Sequence, residues 1–118
     1  MNAEDLRTRT KAFALRVVRL YSTLPKTAPA QVMGKQVLRS ATSVGAHYRE
    51  ASRSRSRAEF ISKVEVALQE LDETSYWLEL LVEANIVREV KLRALRKEAT
   101  ELTAILVSSA RTAKNRRD

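Results

Sequence analysis

A single histidine, His47, stands three residues before Glu50, and the chain has no cysteine. On a helix, residues three apart share a face, and imidazole beside carboxylate is a donor set that metals accept. Four-helix bundles that hold two irons, however, use paired Glu-x-x-His motifs, and one histidine in the reverse order cannot supply two. The pair reads as a surface contact, with no metal site and no cofactor. Glu65, Asp72 and Glu79 recur every seven residues. That spacing lines them along one helix and does not converge two carboxylates on one reacting bond, as general acid–base work requires. With neither a G-x-x-x-x-G-K-[ST] loop nor a G-x-S-x-G elbow, no catalytic residue is assigned, and the chain does not read as an enzyme.

The chemistry that remains is that of charge. Lys35, Arg39, Arg49 and Arg53 fall on one side of a helical wheel, with Thr42 and Ala46 between them. Arg39 to Arg53 covers about 21 Å at 1.5 Å per residue. A phosphate backbone fits along such a stripe; the same arginines also suit an acidic helix of another subunit. The stripe runs into an alternation of serine and arginine, Ser52 to Arg57, which adds Arg55 and Arg57 to the candidate nucleic-acid-binding set. There, Ser56 followed three residues later by Glu59 is a capping box that starts a helix. A phosphate at this helix start and a plain capped turn with solvated arginines are both open readings.

Charge is sorted by segment. The 118 residues carry a net +8, with a pI near 10.3. Residues 58–83 nevertheless hold seven acids against one base, Lys63. Basicity of this size is compatible with a polyanion partner without demanding one. An apolar content of 44% with 31% charged residues is that of a folded, soluble domain. No apolar run approaches the ~20 residues that cross a bilayer, and the N-terminus lacks the apolar block of a signal peptide. No membrane contact and a cytoplasmic location are expected.

Four helices must position these residues. Leu6, Thr10, Phe13, Ala14, Val17, Leu20, Tyr21 and Leu24 recur at helical spacing and predict a first helix over about 5–24. Its outer Arg7, Arg9, Lys11, Arg16 and Arg19 read as solvated. Pro25 ends it and Pro29 suits the first turn of a second, about 29–54. That helix buries Met33, Val37, Ala41, Val44, Tyr48 and Ala51, with Gly45 read as a point of close approach. A third, from the capping box to Asn85, buries Phe60, Val64, Ala67, Leu68, Leu71, Ser75, Leu78 and Val82. Nearly opposite lie Val66, Trp77, Leu80 and Ala84, an apolar strip assigned as a candidate oligomer interface. A fourth, about 90–113, buries Leu92, Leu95, Ala99, Leu102, Leu106 and Ala110. The fold class is all-α, an up-down-up-down four-helix bundle over residues 1–113, followed by a frayed basic tail, 114–118. Because the second helix is basic and the third acidic, unlike patches can meet head to tail and close a ring.

The run SATSVGAHYREAS at 40–52, then SRAEF at 56–60, then ELDETSYWLELL at 70–81 resembles the bacterial four-helix-bundle proteins of 23S ribosomal RNA intervening sequences. Similar proteins include the accessory variability proteins of diversity-generating retroelements, which work with a reverse transcriptase and RNA. His47 stands where many relatives carry asparagine, a departure that bears on local hydrogen bonding. The resemblance implies a homopentamer of four-helix protomers without established enzymatic activity. Two functions are carried forward: an oligomeric accessory protein that binds structured RNA or an RNA-associated enzyme, and an oligomeric scaffold whose charged faces serve subunit and partner contacts.

Overall fold

The computed structural model describes residues 1–116. Its helices are α1 (Ala3–Thr23), α2 (Ala28–Ser52), α3 (Arg57–Glu83) and α4 (Glu89–Asn115). Joints of four or five residues make each helix antiparallel to the next. The α1–α2 and α3–α4 turns therefore lie at one end of a bundle 52 Å long. Both termini and the α2–α3 joint lie at the other.

Each boundary has a local cause. Asn2 caps α1 by accepting from the Asp5 amide at 2.8 Å. Leu24 is extended, ψ 148°, as a residue before proline must be. Its side chain is buried and sits over Gly34. Tyr21 donates its hydroxyl to Gln31 Oε1, and the same amide donates to the Pro25 carbonyl. Together these tie the first turn shut. Ser56 accepts from the Glu59 amide at 3.1 Å, while Glu59 reaches back to the amide of Arg55. Asn85 adopts φ 60°, the left-handed geometry read for it as a helix stop. With it, the Ile86 amide bonds the Leu81 carbonyl and the Asn85 amide bonds that of Val82, which closes a Schellman motif.

The core agrees with the periodicity of α4 residue for residue. In α3 it is rotated. Thr74 and Leu81 are buried, whereas Phe60, Leu68, Ser75 and Val82 are only half-buried. The rotation arises because α3 packs against both α2 and α4. Thr74 is tolerated because its hydroxyl meets Ser40 Oγ at 2.8 Å and the Glu70 carbonyl at 2.8 Å. In α2, Met33 is half-buried and Ser40 takes a core place. Gly45 is the close approach expected, since a Cβ there would stand 3.2 Å from Thr10 Oγ1. Helix α4 runs to Asn115, past the apolar repeat, and Lys114 is held by Glu65 at 2.8 Å. Residues 117–118 of the expected frayed tail lie outside the described residues.

Of the adjacent helix pairs, α1 and α4 touch least. Arg9 clasps them, which corrects its reading as solvated. Its Nε and NH2 donate to the two oxygens of Glu98 at 2.8 and 2.7 Å, and NH2 also reaches Glu101 at 2.8 Å. The Arg9 guanidinium holds the Glu98 carboxyl below the ordinary range, against the opposing effect of partial burial. A lowered carboxyl pKa gives stability that is present above the unfolded value of about 4.3. That stability is lost as pH falls through the folded value. Glu98→Gln is expected to cost on the order of 1 kcal/mol at pH 7, with the difference from the parent vanishing in strong acid. Urea unfolding at pH 7 and pH 2 checks it, and a difference unchanged at pH 2 would assign the effect to packing.

Candidate nucleic-acid interface

Helix α2 presents its polar edge because its opposite face is consumed by α1 and α3. Lys35, Arg39, Arg49 and Arg53 are all exposed, as are Thr42 and Ala46 between them. The stripe is not uniform. Arg39 is drawn across to α3, with NH1 3.1 Å from Glu70 and NH2 2.6 Å from Glu73. The Glu73 carboxyl is lowered first by Arg39 and then by the Trp77 indole N–H, which donates to it at 3.3 Å. The pairing read as a contact between subunits is thus made here within one chain. Arg49 and Arg53 have no ion pair among the described residues, and Arg49 lies in the last turn of α2, where the helix dipole favours a cation.

The joint explains why serine alternates with arginine. Ser52 Oγ donates to the Arg49 carbonyl at 2.9 Å, and Ser54 Oγ to that of Glu50 at 3.3 Å. Ser56 caps α3. The serines satisfy backbone groups at the end of one helix and the start of the next, which leaves the arginine side chains directed outward. Arg53 and Arg55 are exposed there, and Arg57 donates to the Arg116 carbonyl. Capping and outward arginines therefore coexist in this turn.

His47 Nδ1 lies 3.1 Å from Glu50, whose carboxylate is also 3.7 Å from Lys63 Nζ. Among the described residues no group of three or more His, Cys, Asp or Glu converges on a metal position. No described helix is long and apolar enough to cross a membrane. Glu65 is paired with Lys114, and Asp72 and Glu79 are exposed. Of the apolar strip on α3, Trp77 packs against the core of its own chain. Val66 and Leu80 are half-buried and Ala84 is exposed. Beside them Tyr76, 54% exposed, meets Trp77 edge to face at 5.2 Å.

Sequence reasoning did not single out the residues that surround this joint in space. The first turn of α1 and the end of α4, with Ser108, Ser109 and Thr112, enclose a cleft with Arg55 and Arg57. The one local signal was the run of short polar residues in the last turns of α4.

Fold and surface define a small all-helical bundle with a cation-rich edge. The family model for the 23S rRNA-intervening sequence protein matches residues 4–108, and the chain belongs to this family. A crystal structure of a protein of unknown function from the S23 ribosomal protein family of Bacteroides thetaiotaomicron is 39% identical, with a TM-score of 0.88. The match covers 95% of this chain and 100% of that one. No curated protein matches the chain.

Because Arg39 is engaged and half-exposed, Arg39→Gln is expected to change stability by less than about 1 kcal/mol. Its effect on any polyanion affinity should be smaller than that of Arg49→Gln. Thermal melts and filter binding on the two variants test both statements.

Proposed function

We propose that the protein is a non-enzymatic, oligomeric RNA-binding accessory protein of the cytoplasm, with the C-terminal half of α2 and the α2–α3 joint as its phosphate-binding surface. The observation that carries this reading is that Arg49 and Arg53, one helical turn apart, are exposed and have no acid partner among the described residues, with Arg55 exposed just beyond. Guanidinium groups in such a row suit successive phosphates. These contacts carry charge but no base readout, so structured RNA of varied sequence is the ligand class. An oligomer repeats the surface and multiplies a weak contact. Membership of the rRNA-intervening-sequence family supports the association with RNA.

The assembly proposed is a homopentameric ring, with Val66, Trp77, Leu80 and Ala84 near the subunit boundary. Tyr76, an exposed aromatic beside Trp77, supports that placement. The second reading, a protein scaffold, draws its support from Arg39, which shows that cations of α2 can serve acids of α3. An RNA-associated enzyme is a partner compatible with either reading.

Affinity for structured RNA is expected to fall by orders of magnitude between about 50 and 200 mM salt, and Arg49→Glu with Arg53→Glu should flatten the log–log slope by roughly one unit per contact removed. Gel shifts across a salt series, with native mass spectrometry on the same samples, provide the check. Undiminished binding by an intact oligomer of the double variant rejects the phosphate reading; dissociation of the oligomer favours the scaffold. Trp77→Ala is expected to lower the oligomer's mass in light scattering, and an unchanged mass with a lower melting temperature would place Trp77 inside the protomer's own packing.

A further inference from the structure

At the end of the bundle that holds both termini, the first turn of α1, the α2–α3 joint and the last turns of α4 leave a cleft of about 1210 Å³. It lies between the start of α1 and the last turns of α4. Short side chains such as Ala51, Ala104 and Ser108 face it. Among the described residues its lining holds no carboxylate and contains Arg55 and Arg116, a charge that favours an anion. Leu6, Phe60 and Ile105 supply apolar wall.

Tyr48 is the residue that distinguishes this cleft from a surface irregularity. It is 3% exposed and lines the cleft. Its hydroxyl makes no hydrogen bond to any described residue, yet no enclosed side-chain polar atom lacks a partner. The small exposed part of Tyr48 therefore includes its hydroxyl, an unused donor on a residue that lines the cleft. Burial pushes the phenol above its ordinary value, partly offset by Arg7, so it stays protonated at neutral pH.

We infer that this cleft receives one nucleoside monophosphate unit, with its base against Phe60 and Ile105, an acceptor of that unit on the Tyr48 hydroxyl, and its phosphate at the Arg55 rim. Apolar walls, a buried donor and rim cations match a flat, polar-edged ring joined to a phosphate. The source is either a free nucleotide or the unpaired end of an RNA strand. The second follows from continuity, because the stripe of Arg49 and Arg53 leads into Arg55, and to that extent the inference rests on the proposed RNA binding.

The test uses the full chain with uridine monophosphate, uridine, inorganic phosphate, a blunt RNA duplex and the same duplex with a single-stranded overhang. Uridine monophosphate is expected to bind in calorimetry, and the overhang to add affinity over the blunt duplex. Tyr48→Phe should weaken both by about tenfold and leave blunt-duplex affinity and melting temperature unchanged. Ile105→Trp, which narrows the cleft from the α4 side, should have the same selective effect if Tyr48→Phe loosens the fold. Binding of uridine monophosphate without any overhang advantage supports a free nucleotide as the source. Blunt-duplex binding with neither nucleotide binding nor overhang advantage overturns the cleft and leaves the RNA surface standing. Nucleotide binding that depends on Tyr48, with no duplex affinity, supports the cleft while rejecting the RNA surface. Phosphate binding as tightly as the nucleotide overturns the inference in favour of a bare anion site.

Discussion

Helix α2 meets its neighbours through residues no larger than serine at three points: Gly34 beneath Leu24, Gly45 beside Thr10, and Ser40 against Thr74. A Cβ on Gly34 would stand 2.5 Å from Leu24 Cδ1, so a larger residue there would make the leucine that covers the first turn shift. Each glycine sacrifices roughly 1 kcal/mol of helix propensity, offset by the packing of larger side chains from the facing helix. Because α2 contacts both α1 and α3, it fixes the spacing of three helices, and α4 is placed by α3.

That spacing also decides what happens to the charges. With α2 close to α3, Arg39 spans to Glu70 and Glu73, and Lys63 reaches Glu50. On the other flank Lys114 meets Glu65. The acids of α3 therefore partly neutralise the bases of their own chain, along the middle of α2 and the end of α4. The excess cations are displaced toward the joint, where the serines occupy the backbone groups and no acid of α3 except Glu59 lies near in sequence.

How much of this could be read in advance follows from how many neighbours each residue answers to. Helix α4 packs mainly on α3, so one apolar stripe describes it, and Leu92 through Ala110 were legible without error. Helix α3 answers to two helices, and its buried arc is turned so that Leu81 enters and Leu68 and Val82 move to the flank. Thr74 was unreadable as core because only its pairing with Ser40, 34 residues earlier, makes a buried hydroxyl acceptable. The stops at Pro25 and Asn85 and the start at Ser56 were legible because each is a property of a few adjacent residues. Arg9, by contrast, finds its partners 89 and 92 residues away, and the cleft is assembled from four separate segments. No local pattern announces either.

The sparse seam between α1 and α4 has a kinetic meaning. Every other helix contact joins consecutive elements, so the chain can order by successive hairpins with little loop-closure cost, the regime of fast folding. The seam alone must bring the two ends of the sequence together, and its Arg9 clasp has nothing to hold until the hairpins exist. An interaction formed that late governs how quickly the native state is left and not how quickly it is reached. On that order of events, the Arg9–Glu98 pair acts as a latch on the lifetime of the folded chain.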